Sequence, residues 1–168
     1  MISKKAQVSD AKIGQGTSVW QFASVIRGVE VGEDCTIAAN AIVDGARVGD
    51  RCLIGHGAGL HPGAHVGDDV FIGPGAVLCN DAWPRAHKRG FDASQRSVTI
   101  ENGASIGACA VVLPGVRIGA RAMVAAGVTV TRDVPPGYLF GPNGLTHITD
   151  EEERCDKRSR RALKRIAA

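Results

Sequence analysis

The sequence predicts an all-β fold, a tightly wound repeat of short strands, and three observations predict it. Apolar residues recur at every sixth position, and the residue four places after each of them is small or apolar. The chain is also poor in aromatic residues (4%) and rich in glycine (22 of 168). A helix needs apolar spacing near 3.6 and does not tolerate so much glycine. A core of Val, Ile, Ala and Leu with glycine at the corners suits a wound repeat better than two packed sheets. At this length the chain is expected to be one domain that buries its own core.

The repeat falls into three blocks. The first carries Ile13, Val19, Val25, Val31, Ile37 and Val43, and the second Val48, Ile54, Leu60, Val66, Ile72 and Leu78. The third carries Ile100, Ile106, Val112, Ile118, Val124 and Val130. The small companions run from Thr17 and Ala23 through Ala82 to Val134, and Arg47 is the one exception. The template is interrupted by a one-residue slip between Val43 and Val48 and by an insertion over 79–99.

This pattern resembles the hexapeptide-repeat proteins, which form a left-handed parallel β-helix. The handedness comes from the resemblance alone, because the general rule for parallel crossovers points the other way. The resemblance implies three hexapeptides per triangular coil and therefore about six coils. Stacked coils are then separated by the strand spacing of roughly 4.7–4.9 Å, with residues 18 apart above one another.

Stacking by threes singles out one edge. The residue after each apolar anchor is a corner, usually Gly, Ala, Asp or Glu; Trp20, Ile26, His61, Cys79, Leu113 and Thr131 depart from that. Five of these six share the column Ile26, Asp44, His61, Cys79, Leu113, Thr131, beside Arg27, Gly45, Pro62, Asn80, Pro114, Arg132. Such an edge is expected to be a subunit interface, a binding site, or both.

After Asn80 comes a polar excursion with Trp83, Arg85, His87, Lys88, Arg89, Phe91 and Arg96. Long loops in compact domains are functional or disordered, and mixed aromatic and basic residues suit a ligand. Pro135 and Pro136 cannot continue a strand ladder. The expected organisation is a β-helix over 1–134 with a protruding loop at 81–97. An irregular segment and a short basic helix then occupy 135–168, the helix favoured by acidic residues first and basic residues last.

Composition excludes several classes. Residues 1–150 carry 13 Lys+Arg against 13 Asp+Glu, so the net charge of +3 comes from a short tail and argues against nucleic acid as partner. Five cysteines without CxxC spacing form neither a disulfide framework nor a zinc finger. The start MISKKAQVSD has no apolar signal stretch and no apolar run approaches a membrane span, so a cytoplasmic location without membrane contact is expected.

Over residues 7–142, SVWQFASV, VGEDCTIAANAIVDG, VFIGPGAVLCNDAWPR and ASIGACAVVLPGVRIGARAMVAAGVTVTRDVPPG resemble the nucleotide-linked amino-sugar N-acetyltransferases. The closest subgroup acetylates the 3-amino group of dTDP- or UDP-linked sugars for bacterial surface polysaccharides. The sharpest element is Asn-Asp-x-x-Pro-Arg at Asn80, Asp81, Pro84 and Arg85. The resemblance implies a homotrimer with active sites between subunits and acetyl-CoA, without a metal, lying along the coils. It places Asn80 and Asp81 at the sugar and its amine, with Arg27, Trp83, Pro84, Arg85 and Lys88 as further substrate-binding candidates. Ser105, Ala108, Ala125 and Ala126 would line the pantetheine arm, their small side chains letting backbone groups reach its amides. Arg132 and Pro142 would meet the nucleotide end of CoA.

Two positions depart from that family. His61 stands where an aromatic residue is usual, and Gly141-Pro142-Asn143-Gly144 replaces a Gly-Asn-Pro-Ala-like turn. His61 is a candidate general base; the alternative is that Asp81 or the departing CoA thiolate takes the proton and His61 fills the aromatic slot by packing. Two rival readings remain. A γ-class carbonic anhydrase shares the trimeric β-helix, and His56 and His61 have the spacing of two of its three zinc ligands. No histidine precedes His56 to supply the third, and two ligands do not make a stable catalytic zinc site. A non-catalytic β-helix binding protein is the other.

Overall fold

The structure, a computed structural model, describes residues 1–87 and 97–148. Lys88 and the expected terminal helix lie outside the described residues. The described strands are mostly two residues long, and all pair in parallel except the last two.

They stack into three faces. Face I holds Ser18–Val19, Thr36–Ile37, Leu53–Ile54, Phe71–Ile72, Ser105–Ile106 and Met123–Val124, closed by Tyr138–Gly141. Face II holds the first half of Ser24–Val31, then Ile42–Asp44, Gly59–Leu60, Val77–Leu78, Val111–Val112 and Thr129–Val130. Face III holds the second half of Ser24–Val31, then Arg47–Val48, His65–Val66, Thr99–Ile100 and Arg117–Ile118. We number the coils 1 to 6 by their face I strand, from Ser18 to Met123. Gln7–Ile13 adds a partial turn below coil 1 and a terminal hairpin adds one above coil 6, which makes about seven turns in all.

The six-residue period follows from this geometry. In each two-residue strand the first side chain points out and the second points in. Ile37, Ile54, Ile72 and Ile106 therefore stack as one fully buried column under face I, with Leu60 and Leu78 under face II. Each such side chain contributes roughly 1.5–3 kcal/mol on burial. The companion four places on also turns inward, where the triangle narrows and only small residues fit: Ala23, Ala58, Ala76, Ala104 and Ala110 are wholly buried.

The edge between faces III and I is held by a polar ladder. Asp50, Asp68 and Asn102 each accept, through Oδ1, the corner N–H of the coil below (Glu33, Asp50 and Asp68), at 2.8, 2.9 and 3.0 Å. Corner donors that no strand partner reaches are thereby satisfied. Arg51 bridges the same corner to Asp69 through two hydrogen bonds at 2.7 and 2.8 Å.

Three expectations are corrected. The slip at Val43–Val48 is a corner one residue shorter than its neighbours. Ala46 takes the inward place there and Arg47 points out, so the small-residue rule has no exception at that coil. Ala82 does not line the wall; it lies half-buried in the excursion, and Val98 resumes the inward position beneath face III. The segment after Pro136 is not irregular, because Tyr138–Gly141 and Gly144–His147 form an antiparallel hairpin whose first strand pairs with Met123–Val124.

Candidate active site

The edge between faces II and III carries the column read from the sequence. In-register pairing stacks Ile26, Asp44, His61, Cys79, Leu113 and Thr131, one per coil. Arg27 is exposed at coil 1, His61 half-buried at coil 3, Asn80 half-buried at coil 4 and Arg132 exposed at coil 6. Neighbouring coils lie roughly 4.8 Å apart, so His61 and Asn80 share one locality. Arg27 and Arg132, five coils apart, do not.

Two features below Asn80 were not singled out in the sequence. Asp44 is buried, and its carboxylate takes both an Nε and an Nη2 hydrogen bond from Arg27 of the coil beneath. The short corner at Asp44–Ala46 draws that carboxylate toward Arg27, a relation that the adjacent Arg27 and Asp44 columns already hinted at. The second is Gly59. Face II presents Ile42, Gly59, Val77 and Val111 outward in successive coils, and the glycine leaves a gap. The His61 ring folds back over it, with Nε2 only 3.3 Å from where a Cβ at position 59 would stand. The imidazole thus lies on face II, not out along the corner. Above it, burial pushes the Cys79 thiol up from its ordinary range, which disfavours a thiolate at that position.

The excursion leaves the coil at Asp81. Asp81 Oδ1 accepts the Trp83 N–H at 2.9 Å, a local turn. It sends the Trp83 side chain outward, 71% exposed. Pro84 and Arg85 are exposed too, and Arg85 Nη1 donates to the Pro84 carbonyl at 2.9 Å.

The residues expected to line the pantetheine arm fall elsewhere. Ala108, Ala125 and Ala126 occupy the edge between faces I and II at coils 5 and 6, and Ser105 points out from face I between Phe71 and Met123. Pro142 sits in the hairpin turn just above them, since Phe140 O accepts the Ala125 N–H at 2.9 Å. Coil packing there is close: a Cβ on Gly107 would meet Ala126 N at 2.4 Å. Side chains along this strip are small, with Ala108 and Ala125 half-buried and Ala126 exposed. Arg132 does not belong to this set, because it lies across face II on the other edge. The structure therefore makes two groups, Arg27, His61, Asn80 and Arg132 on edge II/III, and Ser105, Ala108, Ala125, Ala126 and Pro142 near edge I/II.

Edge I/II changes character downward. Its corner is Gly107-Ala108-Cys109 at coil 5 but His56 at coil 3 and Trp20-Gln21-Phe22 at coil 1. The Trp20 ring reaches past Ala38 to His56, edge-on with centroids 5.7 Å apart. From the sequence Trp20 stands out only as an unusual corner residue, and His56 only as half of the histidine pair of the carbonic anhydrase reading.

These features define a hexapeptide β-helix with one decorated edge and one smooth strip. The family model described as bacterial transferase hexapeptide (six repeats) matches residues 10–45, 45–80 and 97–132, and the chain belongs to that family. The repeats of that family imply the left-handed winding. Among curated relatives, γ carbonic anhydrases 1 and 2 of Arabidopsis thaliana mitochondria are 33% and 29% identical over 165 residues. The alignments take in 86% of this chain but 47% and 46% of theirs, so the chain spans about half the length of these relatives. Among solved structures, a mutant GDP-perosamine N-acetyl transferase from Caulobacter crescentus in complex with CoA and GDP-perosamine is 25% identical. It has a TM-score of 0.65 and covers 83% of this chain and 58% of that one. AntD, an N-acyltransferase from Bacillus cereus solved as a mutant with dTDP and coenzyme A, superposes with TM-score 0.70 and 20% identity over 91% of both chains, a likeness of fold.

Proposed function

We propose that this chain is an acetyl-CoA-dependent N-acetyltransferase. Its acceptor is the amino group, by our reading the 3-amino group, of a dTDP- or UDP-linked deoxy sugar destined for bacterial surface polysaccharide. The observation that carries the reading is the meeting of His61, Asn80 and the excursion on one edge of the β-helix. The likeness to a transferase that binds CoA and a nucleotide-linked amino sugar supports it.

Acetyl transfer asks for few groups. The neutral amine attacks the thioester carbonyl carbon, the C–S bond breaks, and the acceptor nitrogen sheds one proton as CoA departs. By this reading Asn80 and Asp81 orient the amine. A donor to the developing oxyanion is the largest expected contribution. The proton goes to His61, to Asp81 or to the departing sulfur. Acetyl-CoA fits the smooth strip of edge I/II, with Ser105, Ala108, Ala125 and Ala126 along its arm and Pro142 near its end. Trp83, Pro84, Arg85 and, outside the described residues, Lys88 extend the acceptor site.

The two groups lie on opposite sides of face II, a distance of several residues at roughly 3.3 Å each. A homotrimer brings them together by setting edge I/II of one chain against edge II/III of the next, and the outward Ile42, Val77 and Val111 of face II suit such a contact. Light scattering is expected to give three chains per particle at micromolar concentration; a monomer would remove the composite site.

The decisive assay offers acetyl-CoA with dTDP-, UDP- and GDP-linked amino sugars and follows free thiol. Turnover on a dTDP or UDP acceptor is expected. The curated relatives favour a second reading, a zinc-dependent CO2 hydratase. In this chain His56 turns to Trp20 and His61 to Gly59. Among the described residues no group of three His, Cys, Asp or Glu is gathered to hold a metal. Zinc-dependent hydration with no acetyl transfer would decide for that reading.

A further inference from the structure

We infer that the lowest coils hold the nucleotide of the acceptor, its base against Trp20 and His56 and its diphosphate in a groove beside Arg27 and Arg47. The inference rests on the acetyl-transfer reading and adds where each part of the acceptor lies.

The first observation is the aromatic end of edge I/II. Trp20 is 41% exposed and Phe22 60%, in a chain with few aromatic residues. Trp20 spans coil 2 to reach His56, and the two rings meet edge-on at an interplanar angle of 77°. An edge-on contact fixes the attitude of the rings without stacking them, so a flat ring can still stack there. Lys5 Nζ lies 5.8 Å from the centroid of the Phe22 ring, adding a cation at the rim.

The second observation is a groove of about 650 Å³ on edge II/III at coils 1 to 3, lined by Arg27, Gly28, Gly45, Arg47, Pro62 and His65. The side chains of Arg27 and Arg47 are 67% and 70% exposed. Each is steadied by one carboxylate, Asp44 or Glu30, and keeps further N–H donors for an anion. Arg47 and His65 are outward neighbours on face III. Planar guanidinium forks suit phosphate oxygens.

The third observation is height. Platform and groove both occupy coils 1 to 3, Asn80 stands at coil 4, and the smooth strip lies at coils 5 and 6. A threefold axis along the coils keeps these heights, so the platform of one chain faces the groove of the next. One to three coils, roughly 5–14 Å at the strand spacing, separate platform and groove from Asn80, a span that a nucleoside diphosphate bridges. The vertical order is then nucleotide, amino sugar, acetyl-CoA.

Trp20 and Trp83 are the two tryptophans of the chain, so the Trp20 contribution is the emission of the parent less that of Trp20→Phe. UDP, dTDP and GDP are titrated against that contribution, and CoA binding is measured separately by calorimetry. Saturable quenching by one diphosphate is expected. In the parent chain Trp20→Ala should weaken that nucleotide roughly 5- to 150-fold, the range for losing one base-stacking aromatic. Arg47→Ala, at an exposed position, should weaken it about tenfold, with CoA affinity unchanged in both. If CoA binds but no diphosphate alters Trp20 emission, the nucleotide placement is overturned and the acetyl-transfer reading stands. If emission instead follows protein concentration alone, a second copy covers the platform and the inference is overturned. If CoA also fails to bind, both readings fall.

Discussion

His61→Ala is expected to lower kcat/KM for the amino sugar about 10²–10⁴-fold, the usual range for losing a general base. The KM for acetyl-CoA should stay unchanged if the imidazole meets the acceptor, as proposed, and not the thioester arm. Gly59→Ala is the subtler companion. The new Cβ would stand 3.3 Å from His61 Nε2, so the ring must give by a few tenths of an ångström while its chemistry is intact. An intermediate loss of kcat is expected if ring placement matters. His61→Phe keeps a ring and removes only the proton acceptor. Near-full activity in His61→Phe would move the proton to Asp81 or the CoA sulfur, and Asn80→Ala would then be the more damaging change.

The course of the coils was legible because a parallel β-helix repeats one constraint at every inward position. Ile37, Ile54, Ile72 and Ile106 occupy the same place in successive coils and face the same neighbours, so one period describes them all. Legibility failed where the count per coil changed. Arg47 read as an intrusion into the wall because a fixed offset of four was carried across a corner that had lost a residue; Ala46 fills the place. Ala82 satisfied the offset by composition alone, although the chain had already left the coil at Asp81, and Val98 lay beyond an insertion whose length no period sets. The terminal hairpin was hidden by Pro135 and Pro136, which end the parallel ladder but do not prevent Tyr138–Gly141 from pairing with Met123–Val124.

For the candidate site, the column from Arg27 to Arg132 followed from stacking, since vertical order depends only on sequence number. Which way a side chain leans did not. The His61 ring over Gly59, the Asp44 carboxylate turned to Arg27, and Trp20 reaching past Ala38 each depend on an empty or small neighbour one coil away. The outward row Ile42, Gly59, Val77 would have shown the first of these gaps, because its glycine stands among branched residues. The separation of Asn80 from Ala108 and Ala125 across face II was also implicit in the period. It shows that residues of one expected site need a second chain, or a ligand that crosses the face, to meet.

Gly107→Ala is expected to be the most destabilising conservative change in the smooth strip. Its Cβ would lie 2.4 Å from Ala126 N and 2.7 Å from both Ala125 C and Ala126 Cα. Those atoms are backbone of the next coil, so no rotamer change relieves the overlap and the coil must lift. Overpacking of this kind costs about 1–3 kcal/mol or more, or a fall in melting temperature of roughly 2–12 °C for a domain of this size. Gly141→Ala is the control, since a Cβ there meets nothing within 4 Å and the residue has no left-handed φ. It should melt as the parent does. The lifted coil carries Ala125 and Ala126, so Gly107→Ala protein that remains folded should also bind acetyl-CoA more weakly while binding the acceptor nucleotide normally. Parent-like melting of Gly107→Ala would contradict the close coil packing at this edge. Normal acetyl-CoA affinity in a destabilised variant would move the pantetheine arm off this strip.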